Sequence, residues 1–248
     1  IVGAATAYEL AADGHEVTVF EQRGAAAEEA SFASAGLLAP ALLTPWAQPA
    51  MGAGTLRQLW GSEATLRLVR GAGPSGLAWL WRWAQAGRSP AAGGLLSALQ
   101  QLGQYSLART RALAEQLEVD IETSRGALVL LRRPECLERL QPTLQLLRDA
   151  GMSLAEVDTD TARLIEPGLS TDAPLAGALH VPDGEAGNCR LFALVLRQAA
   201  QNLGARFMFG SAVRALTHAP TGLRVTGKSA PRRFDAVVLC AGLASTAL

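Results

Sequence analysis

Cysteine is scarce in this chain. Cys136, Cys189 and Cys240 stand far apart, with no C-x-x-C pair among them. That spacing fits a reducing compartment better than a disulfide framework. Histidine is as thinly spread, at His15, His180 and His218, so no metal site is expected. Neither sign of charge is in excess: Lys+Arg and Asp+Glu both number 22, which leaves no electrostatic footprint for nucleic acid or for an anionic membrane surface. No apolar run approaches the roughly 18 residues that would span a bilayer. An initiator Met is also absent, for the chain opens on Ile1-Val2-Gly3. What is abundant is apolar surface, at 49% of 248 residues, enough for a large domain or two intertwined ones.

The first segment predicts a helix, a stop and a strand. Ala4 to Ala12 is Ala-rich and helix-forming. Asp13-Gly14 supplies the stop, and "EVTVF" is a β-rich run that ends on Glu21. Gly3 and Ala7, four apart, give one helical face small side chains, as close packing on a sheet requires. Glu21 follows Gly3 by 18 positions. A dinucleotide-binding G-x-G-x-x-G unit continues in this way after its first two glycines. Gly3 then stands as the third glycine, the helix start faces a pyrophosphate, and Glu21 accepts bonds from ribose hydroxyls. An apolar strand ending in G-x-G is expected upstream. The remnant alone also fits a βαβ start that holds no nucleotide.

"RGAAAEEASFASAGLLAPALLTPWAQPA" reads as a long ordered connection. Helical periodicity comes next at roughly 55–69, 75–87 and 93–118. "GALVLLRR" reads as a strand, 134–150 as a helix closed by Gly151, and "VDTDTARLIEPGL" as a short capped helix. "AGALHVPDGEAGN" is a strand and turn, and Asn188 is placed to cap the helix that stops at Gly204. Beyond it, "ARFMFG", "AVRALTH", "GLRVTGK" and "FDAVVLCAG" are strands, with turns at "APTG" and "SAPRR". The last reads as a buried parallel strand returning to the nucleotide. Trp79 and Trp83 are expected to pack inward on one helical face. The alternative is a peripheral membrane contact, because Trp favours interfaces.

"GHEVTVFEQR", "EEASFASAGLLAP", "TPWAQP", "LIEPGL", "HVPDGEAGNCRLFALVLRQAA" and "FDAVVLCAGLAS" together resemble, in order, the flavin-dependent D-amino acid dehydrogenases. These lie within the wider amine-oxidising FAD group that includes D-amino acid, glycine and sarcosine oxidases. The resemblance implies an α/β fold with an α+β second lobe, a Rossmann-type FAD-binding domain interleaved with a substrate domain and truncated at both termini. The FAD-binding domain would comprise 1–40 and 188–248, and the substrate lobe 41–187. Gly3 and Glu21 keep their roles, and Gln22 and Arg23 lie beside the adenosine. Ser31, Ser34, Ala35 and Gly36 line the diphosphate and reach the flavin ring. Val213 offers a main-chain contact to adenine, and Ala241 and Gly242 close over the cofactor. One departure is visible: Ser34 stands where these dehydrogenases usually carry Asn.

The implied reaction moves hydride from Cα of an amino acid to FAD. The imino acid is then hydrolysed to a keto acid and ammonia. A quinone or another respiratory-chain acceptor would take the electrons in a dehydrogenase, oxygen in an oxidase. The implied location is cytoplasmic, or peripheral on the inner membrane. Two other readings stay open: a glycine- or sarcosine-type amine oxidase of the same fold, and a noncatalytic nucleotide-binding fragment. No catalytic residue is singled out.

Overall fold

A computed structural model describes residues 1–43, 73–86, 92–219, 222–227 and 232–248. The helix expected at 55–69 and the "TPWAQP" stretch lie outside them. The elements in chain order are α1 (Val2–Ala12), β1 (Thr18–Phe20), β2 (Leu37–Leu38), α2 (Pro74–Ala86), α3 (Ala92–Gln116), β3 (Ser124–Leu131), α4 (Pro134–Asp149), β4 (Ala155–Val157), α5 (Thr159–Ile165), β5 (Gly177–Ala186), α6 (Cys189–Asn202), β6 (Arg206–Met208), β7 (Val213–Ala219), β8 (Gly222–Gly227) and β9 (Arg232–Phe234). Short 3-10 turns occupy Pro40–Leu42 and Gly242–Ala247.

The chain divides into two compact units. The first comprises Ile1–Leu38, Thr110–Arg125 and Glu185–Leu248; the second comprises Ala39–Arg109 and Gly126–Gly184. Thr110–Arg125 thus belongs with the chain ends, whereas the sequence division assigned all of 41–187 to one lobe.

In the first unit, α1 and α6 pack together. Ala4, Ala7, Tyr8 and Ala11 of α1 meet Phe192, Leu196 and Ala200 of α6, joined by Leu113 and Ile121. The small α1 face permits the close approach, and Leu196 is fully buried there. Gln116 donates to the buried Tyr8 hydroxyl at 3.0 Å, which satisfies a polar group inside this core. Beside the helices, β1 pairs in parallel with β6, Thr18 opposite Arg206 and Phe20 opposite Met208. The helix stops are those expected: Gly14 takes φ 87° after α1, and Gly204 takes φ 97° after α6. Asn188 caps α6 through Leu191 N–H at 2.9 Å. The antiparallel sheet β7-β8-β9 completes this unit.

In the second unit, β4 runs antiparallel to β5, with Ala155 opposite His180. Leu131, Leu144 and Leu179 form its core against α4. Asp158 caps α5 by accepting from Thr161 N–H at 2.8 Å.

Two expectations fail. "FDAVVLCAG" is not a buried parallel strand: only Phe234 lies in a strand, β9, which runs antiparallel to β8. Residues 236–241 are irregular, with Val238 59% and Leu239 48% exposed. A central parallel strand needs ladder partners on its flanks, and none pairs with 236–241 among the described residues. Arg232 and Arg233, read as part of a turn, are drawn into β9. Trp79 also does not pack inward. The half-buried face of α2 is Gly76, Leu80 and Trp83, and Trp79 is turned outward, 52% exposed, with its ring stacked on Trp83 at 6.2 Å.

Candidate functional site

The sequence-predicted residues fall into three groups, all in the first unit. The first surrounds the start of α1. Gly3 faces the irregular segment after β9: a Cβ placed there would sit 3.4 Å from Cys240 Cβ. The position is thus close to that segment, at ordinary van der Waals distance. Thr6 Oγ1 lies 4.0 Å from Cys240 Sγ, so the same segment runs along the first turns of the helix. Ala241 and Gly242 come next, and Gly242 turns the chain with φ 56°. Ser31, half-buried, lies near the start of α1, where the helix presents its unpaired N–H groups and partial positive charge.

The second group lies at the end of β1. Glu21 continues the ladder, its N–H donating to Met208 O at 3.0 Å and its carbonyl accepting from Ser211 N–H at 2.8 Å. Val213 begins β7 two residues beyond, so its main chain is brought to the Glu21 end of the ladder. Glu21 Oε1 accepts the Arg23 N–H at 2.8 Å. A carboxylate has about four lone-pair directions, so capacity for two ribose hydroxyls remains.

Gln22 and Arg23 are engaged elsewhere. Glu29 Oε1 accepts from Arg23 Nε at 2.6 Å and from Gln22 Nε2 at 2.9 Å. The Arg23 hydrogen bond, and then its charge, hold the Glu29 carboxyl below the usual carboxylate range, and the guanidinium pKa is raised in turn. Glu28 Oε2 accepts the Gly24 and Ala25 N–H groups. Two carboxylates thus shape the loop between Glu21 and Ser31.

The third group is a cleft. Gly36 has φ 62°, and a Cβ there would overlap the Gly187 carbonyl oxygen. Gly187 N–H donates to Gly36 O at 2.9 Å. Ser34 Oγ accepts the Gly36 N–H at 3.3 Å, and Ala35 between them is exposed. Ser31, Phe32 and Ser34 line a cavity of about 330 Å³ with Glu122, Asn188 and Arg190.

Four of those lining residues, Phe32, Glu122, Asn188 and Arg190, were missed as site residues. Arg190 stacks its guanidinium over the Phe32 ring at 4.5 Å. Glu122 sits in the left-handed region at φ 57° and accepts from Asn188 Nδ2 at 2.8 Å. Its N–H is held by Asp120 Oδ1 at 2.8 Å. Only Asn188 carried a signal, as a helix cap. Glu122 and Arg190 come together through contacts far apart in sequence, which no local pattern carries.

A parallel β-ladder flanked by a glycine-started helix, with an acidic residue at the strand end, defines a dinucleotide-binding module of Rossmann type. The chain belongs to the family of FAD dependent oxidoreductases, whose sequence profile matches residues 1–248. It is 30% identical over 247 residues to a D-amino acid dehydrogenase of Neisseria gonorrhoeae, covering 98% of this chain and 58% of that protein. The fold is similar to that of glycine oxidase from Geobacillus kaustophilus, with TM-score 0.72 and 22% identity, over 99% of this chain and 54% of that one. It also resembles the L-amino acid deaminase of Proteus myxofaciens, with TM-score 0.61 and 17% identity, over 98% and 43%. The chain therefore spans between 43% and 58% of the length of these proteins.

The residues present fit the adenosine and diphosphate end of FAD. A helix start suits an anion, and the carboxylate at the strand end suits a diol. No cluster of His, Cys, Asp or Glu able to hold a metal occurs among the described residues. No helix among them is long and apolar enough to cross a membrane.

Proposed function

We propose that this chain supplies the FAD-binding framework and part of the substrate lobe of an enzyme that oxidatively deaminates D-amino acids. The observation that carries the reading is Glu21 at the end of the parallel β1–β6 ladder, beside the helix whose first turn holds Gly3. The similarity to a D-amino acid dehydrogenase along nearly the whole chain supports the choice of substrate. Gly3, Ser31, Ala241 and Gly242 would hold the diphosphate, Glu21 the ribose and the Val213 main chain the adenine. Ser34, Ala35 and Gly36 would carry the chain toward the flavin ring. FAD, when bound, would supply the hydride acceptor for Cα; the chain's own part is to hold the cofactor and fix its orientation.

The test uses protein expressed from its complete coding sequence, with the flavin band monitored anaerobically. D-alanine should bleach the band and L-alanine leave it unchanged. Readmitted oxygen restores the band quickly in an oxidase; in a quinone-linked dehydrogenase, a soluble quinone does so instead. The similarity to glycine oxidase favours a second reading. Bleaching by glycine and sarcosine but not D-alanine would select it. A well-folded protein that takes up no flavin overturns both.

A further inference from the structure

We propose, resting on the FAD-binding reading above, that Arg190 is a positioning residue for the cofactor. By stacking on Phe32 it fixes the loop that would carry FAD. Between Gly24 and Gly36 that loop contains only glycine, alanine, serine, two glutamates and Phe32. Glu28 and Glu29 hold its first half, through the Gly24 and Ala25 N–H groups and Arg23. The second half is held at two points. Gly187 N–H donates to Gly36 O at 2.9 Å, and the Phe32 ring lies 4.5 Å from the Arg190 guanidinium. Phe32 is 52% exposed, so burial alone holds it weakly. Ser31 and Ser34, on either side of Phe32 in the loop, line the same cavity as Arg190.

Two features set Arg190 apart from an ordinary surface cation. It is the second residue of α6, in a first turn that has no acidic residue. The partial positive charge of a helix start repels a cation, so the placement costs α6 some stability. Nor does Arg190 form an ion pair among the described residues. Glu122 lines the same cavity, but its Oε2 accepts from Asn188 Nδ2 at 2.8 Å. What offsets the cost is the Phe32 ring, whose negative face attracts a cation within about 6 Å. The planar guanidinium also stacks on the ring as an ammonium does not. Phe32 is thereby drawn to the start of α6, and the two serines beside it are set before FAD arrives. Order established in advance is not lost on binding, so it raises affinity.

The test uses the holoenzyme expressed from its complete coding sequence, with the FAD Kd read from flavin fluorescence on dilution. Arg190→Met should raise that Kd about two- to fivefold, the span expected for an exposed cation–π contact. Arg190→Lys, which keeps a cation, should recover part of the loss. In a Phe32→Leu background, Arg190→Met should change the Kd no further, because the ring it acts on is gone. The urea midpoint of the flavin-free protein should stay level, since relief at the helix start offsets the lost contact. A Kd that Arg190→Met leaves unchanged overturns the proposal. So does an equal loss in the Phe32→Leu background, because Arg190 then acts without the ring. A urea midpoint that falls in step with FAD binding overturns it too, by making the role one of stability alone. A parent protein that takes up no FAD sinks the cofactor reading and the positioning role together. An unmoved Kd in a parent that does bind FAD sinks the positioning role alone.

Discussion

At the scale of single residues, Gly36 is the most constrained position in the cleft. It combines a left-handed φ of 62° with a Cβ direction that runs into the Gly187 carbonyl. Relief would break the Gly187 N–H to Gly36 O bond that holds the loop closed. Gly36→Ala should therefore cost about 2 kcal/mol or more of unfolding free energy. A urea midpoint within error of the parent would show that the loop yields more easily than its contacts indicate. Glu29 offers a second test. Its folded pKa is depressed by Arg23, so its contribution is present above the unfolded value and fades as pH falls through the folded one. Arg23→Gln should move the Glu29 carboxyl titration up toward the ordinary glutamate range, as measured by carbon NMR. A titration that stays put would mean that Arg23 does not hold Glu29 in solution.

At the scale of elements, α6 and its cap tie three segments together. Asn188 accepts from Leu191 N–H, donates from its amide to Glu122, and donates its own N–H to Ile121 O at 2.7 Å. Asn188→Ala removes the first two bonds. The cap is worth about 1 kcal/mol and the second bond a similar amount, so a loss near 2 kcal/mol is expected in chemical denaturation. A loss no larger than the cap alone would show that the Glu122 bond contributes nothing net. The elements most legible in the sequence were those that carry their own stop signals: α1 with Gly14, α4 with Gly151 and α6 between Asn188 and Gly204. Their ends are set by local backbone chemistry, which adjacent residues encode. The segment after β9 was not legible, because an apolar run becomes a strand only where partners distant in the chain pair with it. The outward turn of Trp79 was hidden for a related reason. Spacing shows which side chains share a face; which face is covered depends on the rest of the unit.

At the scale of the whole molecule, the first unit rests on one core made from three separate stretches of chain. Gly3 and Glu21 were singled out by a motif whose residues lie within one helix and strand, and Ser31 by the family resemblance. Glu122 and Arg190 were not, because they reach the cleft only when Leu113, Ile121 and α6 pack into the same core. The Gly36 loop, bonded to Gly187 beside α6, is therefore tied to that packing. Leu196 is the point at which to test this, being fully buried between α1 and the rest of that core. Leu196→Ala should cost about 3 kcal/mol, the usual range for a truncated core leucine being 2–5. If the core opens as one cooperative body, amide exchange should accelerate to a similar degree in α1, α6 and β6. The Gly187 amide, bonded to Gly36 in the loop, should accelerate with them. Faster exchange confined to α6 would show that α1 is held by other means.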